Sequence, residues 1–175
     1  DVESSTRTYP VLVSPGLAGE LTRWLADTGV GERRFVVSSP NVWKHHGEML
    51  VAALPGVEHL LVSDGERAKN HQTLGRIYDW LIESGADRSS TVIAIGGGVI
   101  GDTVGFAAAS YLRGVDLVQV PTTLLAQVDS AVGGKVGINH SRGKNLIGAF
   151  HPPVAVMADP QLLDTLPRRE LRAGL

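Results

Sequence analysis

Three glycines stand at G-x-G-x-x-G spacing in "AIGGGVIGD": Gly96, Gly98 and Gly101. Where a strand ends in Gly96-Gly97-Gly98 and feeds a helix, the first N–H groups of that helix have no partner. No Cβ keeps an anion away from them, and the dipole favours negative charge there. The chemistry suggested is a bound pyrophosphate. Asp102, in the first helical turn, either complements the dipole or accepts from a ligand hydroxyl. The plainer reading is a tight turn whose glycines serve helix–sheet packing.

Other segments carry chemistry-bearing residues in similar settings. "SDGERAKN" (63–70) follows a strand end, where open α/β sheets bind ligands. Asp64, Glu66 and Lys69 there either reach ribose hydroxyls or form a solvated turn. "GGK" (133–135) and "RGKN" (142–145) set lysines beside permissive backbone, as phosphate or carboxylate clamps or as surface lysines. "HHGE" (45–48) lacks H-E-x-x-H spacing and reads as exposed helix. His59, His71, His140 and His151 show no metal-ligand spacing either, so no metal site can be assembled from this chain.

The positioning elements alternate. "YPVLV" (9–13), "RFVVSS" (34–39), "EHLLVSDGE" (58–66), "STVIAIGGG" (90–98) and "VDLVQVPTT" (115–123) read as strands, the third running into a turn. Between them, "LAGELTRWLADTG" (17–29), "NVWKHHGEMLVAAL" (41–54), "HQTLGRIYDWLIESG" (71–85) and "IGDTVGFAAASYL" (100–112) read as helices. This alternation predicts an α/β fold with a largely parallel sheet and flanking helices. The 36 residues from Leu124 show little periodicity and read as a functional segment, being long for a passive loop. "TLPRRELRAGL" begins a short helix with Pro167 in its first turn.

The glycine motif follows the fourth of these strands, whereas an orthodox Rossmann fingerprint follows the first, with an acid about 20 residues on at the end of the second. Asp116 lies at about that distance but begins its strand, and the strand ends at "VPTT" without a carboxylate. The orthodox fingerprint fails on context, while the phosphate-binding physics of the turn remains.

Composition narrows the classes further. The 175 residues suffice for one domain with a proper core. A net charge of −2 gives no bulk attraction to nucleic acid or anionic membrane. With no cysteine, disulfides and thiolate chemistry are excluded within this chain. The apolar run 92–109 is broken by Asp102 and five glycines, so it reads as strand plus helix rather than a membrane span. With no signal peptide visible, a cytoplasmic location is expected. Glycine reaches 21 residues, about 12% against a usual ~7%, clustered in segments that otherwise look ordered.

Taken in order, "DGERAK", "GGGVIGD", "GFAAASYLRG", "QVPTTLLAQVDSAVGGKVGINH", "GKNLIGAFHPP" and "TLPRRELRAGL" resemble the 3-dehydroquinate synthase family closely, and the sugar-phosphate cyclases more broadly. The match is strong from Asp64 to Leu175 and weak before it. The resemblance implies a variant Rossmann-like domain that binds NAD, shared with glycerol dehydrogenases and iron-dependent alcohol dehydrogenases. Asp64, Glu66 and Lys69 would lie on the adenosine ribose side. Gly97, Gly98, Val99 and Asp102 would hold the pyrophosphate and nicotinamide ribose. Thr122, Thr123, Lys135 and Lys144 would complete the cofactor site, with Leu162 and Thr165 closing it. Asp129, Lys135, Lys144 and Asn145 match substrate-binding positions. Arg113 matches one that reaches the substrate phosphate across a homodimer interface.

The implied reaction starts from 3-deoxy-D-arabino-heptulosonate 7-phosphate. Transient oxidation by NAD, loss of phosphate, return of the hydride and an aldol closure give 3-dehydroquinate, an intermediate of aromatic amino acid biosynthesis. A zinc or cobalt ion polarises the reacting oxygens in that family, and its ligands lie beyond "RELRAGL". The expectation is therefore that residues 1–160 form the NAD-binding domain and 161–175 begin a connection to a helical metal-binding domain. A chain ending there is expected to be a cut piece without turnover of its own. Val136 stands where the family often has Thr. The alternative is another sugar-phosphate cyclase or a glycerol-dehydrogenase-like oxidoreductase. "VGGKVGIN" and "GKNLIGAF" favour the synthase, because a dehydrogenase needs no clamp for a carboxylate and a phosphate. A non-catalytic nucleotide-binding module is the third class.

Overall fold

Six parallel strands form the centre of the protein. The structure, a computed structural model, describes residues 1–4 and 6–175. In chain order the elements are β1 (Val2–Glu3), β2 (Thr8–Tyr9), β3 (Val11–Val13), α1 (Leu21–Asp27), β4 (Arg34–Ser38), α2 (Pro40–Ala53), β5 (Glu58–Leu61), α3 (His71–Glu83), β6 (Thr91–Gly96), α4 (Gly98–Ser110), β7 (Asp116–Pro121), β8 (Lys135–His140), β9 (Gly143–Phe150), β10 (Ala155–Ala158) and α5 (Arg168–Arg172). The main sheet has the order β3-β10-β7-β6-β4-β5, parallel throughout. β1 and β2 form one small antiparallel pair and β8 and β9 another.

Side-chain alternation explains the layering. Along β6, Ile93 and Ile95 face one side, where they pack with Leu21, Leu25 and Leu50 of α1 and α2. Val92 and Ala94 face the other, against Leu74, Ile77 and Leu81 of α3 and Val104 and Ala107 of α4. Every residue of β6 is buried, as expected of a parallel strand covered on both faces. Each of these large side chains, once fully buried, contributes on the order of 1.5–3 kcal/mol.

Caps set the helix ends. Ser39 caps α2, one residue before Pro40 at the first helical position, and Asn70 caps α3 by accepting from Thr73 N at 2.9 Å. Gly85 ends α3 at φ 66°, a left-handed conformation that glycine adopts without a Cβ penalty.

Three expectations need correction. The strand expected over 9–13 is two strands, because Pro10 has no N–H and Tyr9 and Val11 join different sheets. The segment after Leu124 is not irregular: it holds the β8–β9 hairpin and the inner strand β10. Its pattern is hidden by glycines that bring backbone close. A Cβ on Gly137 would sit 2.5 Å from the carbonyl of Ile147. The helix expected over 100–112 begins at Gly98, and after Ser110 it gives way to a 3-10 turn at Tyr111–Arg113.

Candidate cofactor groove and substrate hollow

The segments after β4, β5, β6, β7 and β10 all open onto the carboxyl edge of the sheet, and a groove of about 740 Å³ runs there. Open α/β sheets bind their ligands in such a place. Gly97 precedes α4 in an extended conformation and offers no side-chain cap. The first bonded N–H of the helix is that of Gly101, which donates to the Gly97 carbonyl at 3.0 Å. The N–H groups of Gly98, Val99 and Ile100 therefore stand free at the positive end of a 13-residue helix.

The glycines of this turn are needed for close approach, not for left-handed backbone. A Cβ on Gly97 would meet Thr123 Cγ2 at 2.9 Å, and one on Gly98 would meet Ser130 Oγ at 3.0 Å. One on Gly101 would meet Gln119 Oε1 at 2.8 Å, and one on Gly105 would overlap Val136. Gly101 and Gly105 thus pack the helix, while Gly97 and Gly98 border the groove. The cradle lies open where side chains would fill it, as a bound dinucleotide requires.

A second hollow of about 490 Å³ adjoins the groove, lined among others by Lys135, Asn145 and Phe150. Asp102, Asp129 and Ser130 line both cavities, so the two meet at those residues. Their junction is tied by Lys69, whose side chain is 5% exposed. Its Nζ donates to Asp102 and, at 2.5 Å, to Asn145 Oδ1. Burial pushes the Asp102 carboxyl above its ordinary range, against the pull of the Lys69 ammonium. Asn145 holds a left-handed conformation at φ 54° and receives support from Asn139, whose Oδ1 accepts from Asn145 N at 2.9 Å. Asn139 also donates to Glu66 Oε1 at 2.7 Å, and this bond holds the Glu66 carboxyl below its ordinary range, with Lys144 assisting.

The structure brings most of the sequence-derived residues together. Asp64, Glu66, Lys69, Gly97, Gly98, Val99, Asp102, Thr122, Thr123, Leu162 and Thr165 line the groove. Asp129, Lys135 and Asn145 line the hollow. Asp64 stands beside Ser39 at 3.2 Å, whereas Lys69 lies at the junction with the hollow, so the trio of the "DGERAKN" segment is divided. Lys144 lies at the rim, 3.6 Å from Glu66, and is largely exposed. Arg113 is not brought in: it follows the far end of α4, roughly 20 Å along the helix from the glycine turn.

The sequence reading missed several residues. Asn139, Ser130 and Asn41 carried only the weak signal of a polar side chain beside a glycine run or a strand end. "HHGE" lies on α2 with His45 and Glu48 exposed, as expected, but His46 is half-buried: both histidines line the groove, and His46 Nε2 lies 2.9 Å from Thr165 Oγ1. Burial, more than the charge of His45, holds the His46 imidazole below its ordinary range. Among the described residues no group of three or more His, Cys, Asp or Glu side chains is placed to hold a metal ion.

The family model for the 3-dehydroquinate synthase N-terminal region matches residues 59–173. The chain belongs to that family.

A 3-dehydroquinate synthase from Geotalea uraniireducens is 54% identical over 97% of the chain and 48% of its own length. One from Halorhodospira halophila is 53% identical over 99% of the chain and 49% of its own length. The chain thus spans about half the length of the curated relatives it matches. Among solved structures, a 2-epi-5-epi-valiolone synthase from Streptomyces hygroscopicus subsp. jinggangensis 5008 with NAD+ and Zn2+ bound aligns with a TM-score of 0.87 at 37% identity. It covers 99% of this chain and 49% of that one. Dehydrogenases and reductases at 14% to 22% identity share the fold alone. No helix of the described residues is long and apolar enough to cross a membrane.

Proposed function

We propose that this chain is the nucleotide-binding half of a 3-dehydroquinate synthase, with residues 1–160 as the NAD-binding unit and 161–175 leading onward. The observation that carries the proposal is the junction at Asp102, where a groove with an open glycine cradle meets a hollow lined by Lys135 and Asn145. A dehydrogenase site needs the first alone. The second offers cationic and amide groups for an anionic sugar-acid phosphate.

When bound, NAD supplies a reversible hydride acceptor. The chain's own residues bind and orient. Gly97, Gly98 and Val99 present N–H groups to the pyrophosphate, beside Thr122 and Thr123. Lys69 holds Asp102 and Asn145 in fixed orientations, which supplies the positioning that the reaction depends on. Lys135, Asn145 and Asp129 orient the substrate, 3-deoxy-D-arabino-heptulosonate 7-phosphate, and Lys144 adds positive charge at the rim. Arg113 serves the site of a second copy in a homodimer, in keeping with its distance from this one. The described residues hold no donor set for a metal ion. A cytoplasmic enzyme without nucleic-acid or membrane partners is the matching setting.

The test is phosphate release from the heptulosonate phosphate by full-length protein carrying this chain, with NADH followed by absorbance. Phosphate release without net NADH, lost on Lys135→Ala, is the expected result. Net NADH accumulation would identify a dehydrogenase instead.

A further inference from the structure

Lys135 enters the hollow from a turn that has little rigidity of its own. Gly133 and Gly134 precede it at φ 90° and 69°, two successive left-handed residues before β8 begins. Glycine reaches such values without a Cβ penalty, and for the same reason it visits many others. The residues ahead of the turn face the hollow too: Asp129, Ser130 and Val132 line it together with Lys135. The wall 129–135 therefore depends on what holds its glycine corner.

That corner is held from behind at two points. His151 N donates to the Gly134 carbonyl at 2.7 Å, and a Cβ on Gly134 would stand 2.7 Å from Pro152 N, so Gly134 lies flat on the chain that follows β9. The second hold is a side chain from the other end of the sequence. Gly133 N donates to Tyr9 Oη at 2.8 Å. Tyr9 is 1% exposed and clusters with Ala131, inside the wall, and with Val156 of β10. Pairing with Val2 in the β1–β2 ribbon holds its backbone. Tyr9 is thus buried behind the wall, not on its surface.

We propose that Tyr9 is a positioning residue for the hollow: its hydroxyl fixes the Gly133–Gly134 turn and so sets where the Lys135 ammonium meets the substrate. A phenylalanine ring fills the same space with no acceptor for Gly133 N, so Tyr9→Phe frees the turn while the cluster stays packed. An unpartnered N–H in such a place is costly, and the freed turn moves to satisfy it. The proposal rests on the synthase reading above.

The experiment is steady-state kinetics of full-length protein carrying this chain, read as phosphate release, for the parent, Tyr9→Phe and Val156→Ala. The last opens a cavity in the same cluster and leaves the hydroxyl in place. In Tyr9→Phe, KM for the heptulosonate phosphate should rise about tenfold, equivalent to about 1.4 kcal/mol, while KM for NAD stays within about twofold of the parent's. In Val156→Ala both KM values should match the parent's, even though thermal unfolding shows it to be less stable. A parental substrate KM in Tyr9→Phe, a rise in both its KM values, or an equal rise in Val156→Ala overturns the role of Tyr9 and leaves the synthase reading intact. A folded parent that releases no phosphate overturns both.

Discussion

Lys69 and Asp102 form a buried ion pair, and the same ammonium reaches Asn145, so one side chain joins the segment after β5 to helix α4 and to the β8–β9 hairpin. Lys69→Met leaves Asp102 without its partner in a buried place. The expected loss is about 3 kcal/mol of stability at neutral pH, the lower end for breaking such a pair, because Asp102 can relieve the strain by taking up a proton. The sign with pH follows. The Asp102 carboxyl is already raised by burial, and without Lys69 it rises further. The unfolded chain keeps an ordinary value, so the deficit of the variant shrinks as pH falls toward that value. Urea unfolding at neutral pH and near pH 4 checks this; an equal deficit at both would contradict it.

The Asn139 side chain makes one bond within the β8–β9 hairpin, accepting from Asn145 N, and one from the hairpin to the 66–70 segment, donating to Glu66 Oε1. Asn139→Ala should cost about 1–2 kcal/mol in thermal or urea unfolding. A change within about 0.5 kcal/mol, the usual range for a surface substitution, would show that packing and the backbone bond from Asn139 N to Lys69 O hold the hairpin without the side chain.

The Glu66 carboxyl is lowered chiefly by Asn139, so its contribution is present above the ordinary carboxylate range and lost as pH falls through its folded value. Glu66 is nearly half exposed, which keeps the effect below about 1 kcal/mol. Glu66→Gln should therefore be slightly less stable than the parent at neutral pH and equal to it in acid. A difference that grows in acid would contradict the assignment.

Two helical glycines should respond in opposite ways. A Cβ on Gly105 would overlap Val136, so Gly105→Ala should destabilise by about 1–3 kcal/mol. Gly75, inside α3, has open space around it, so Gly75→Ala should stabilise by up to about 1 kcal/mol. Thermal unfolding of the two variants decides; the same sign for both would contradict the packing of α4 against β8.

The main sheet was legible because β4 and β6 carry apolar runs, β7 one broken only by Gln119, and helical patterns, most clearly the periodic one of α3, stand between the strands. β8 and β9 were not, because Gly137 and Gly148 face each other across the ladder and leave no alternation to read. Within the site, glycines and charged residues at strand ends were visible in the sequence. Ser39 and Asn139 were not, since each acts through a partner distant in sequence, Asp64 for Ser39 and Glu66 for Asn139. His46 read as exposed because helical periodicity shows which face meets the sheet and nothing of the groove beside Thr165.

The most direct measurement is calorimetric titration with NAD of the 175-residue chain and of Gly98→Val, which places a branched side chain in the cradle beside Ser130. Saturable binding by the parent, weakened at least about tenfold in the variant, is the expected result, a difference of about 1.4 kcal/mol or more. No heat of binding from a parent that unfolds cooperatively, or equal affinity in the two proteins, would contradict a pyrophosphate site at the start of α4.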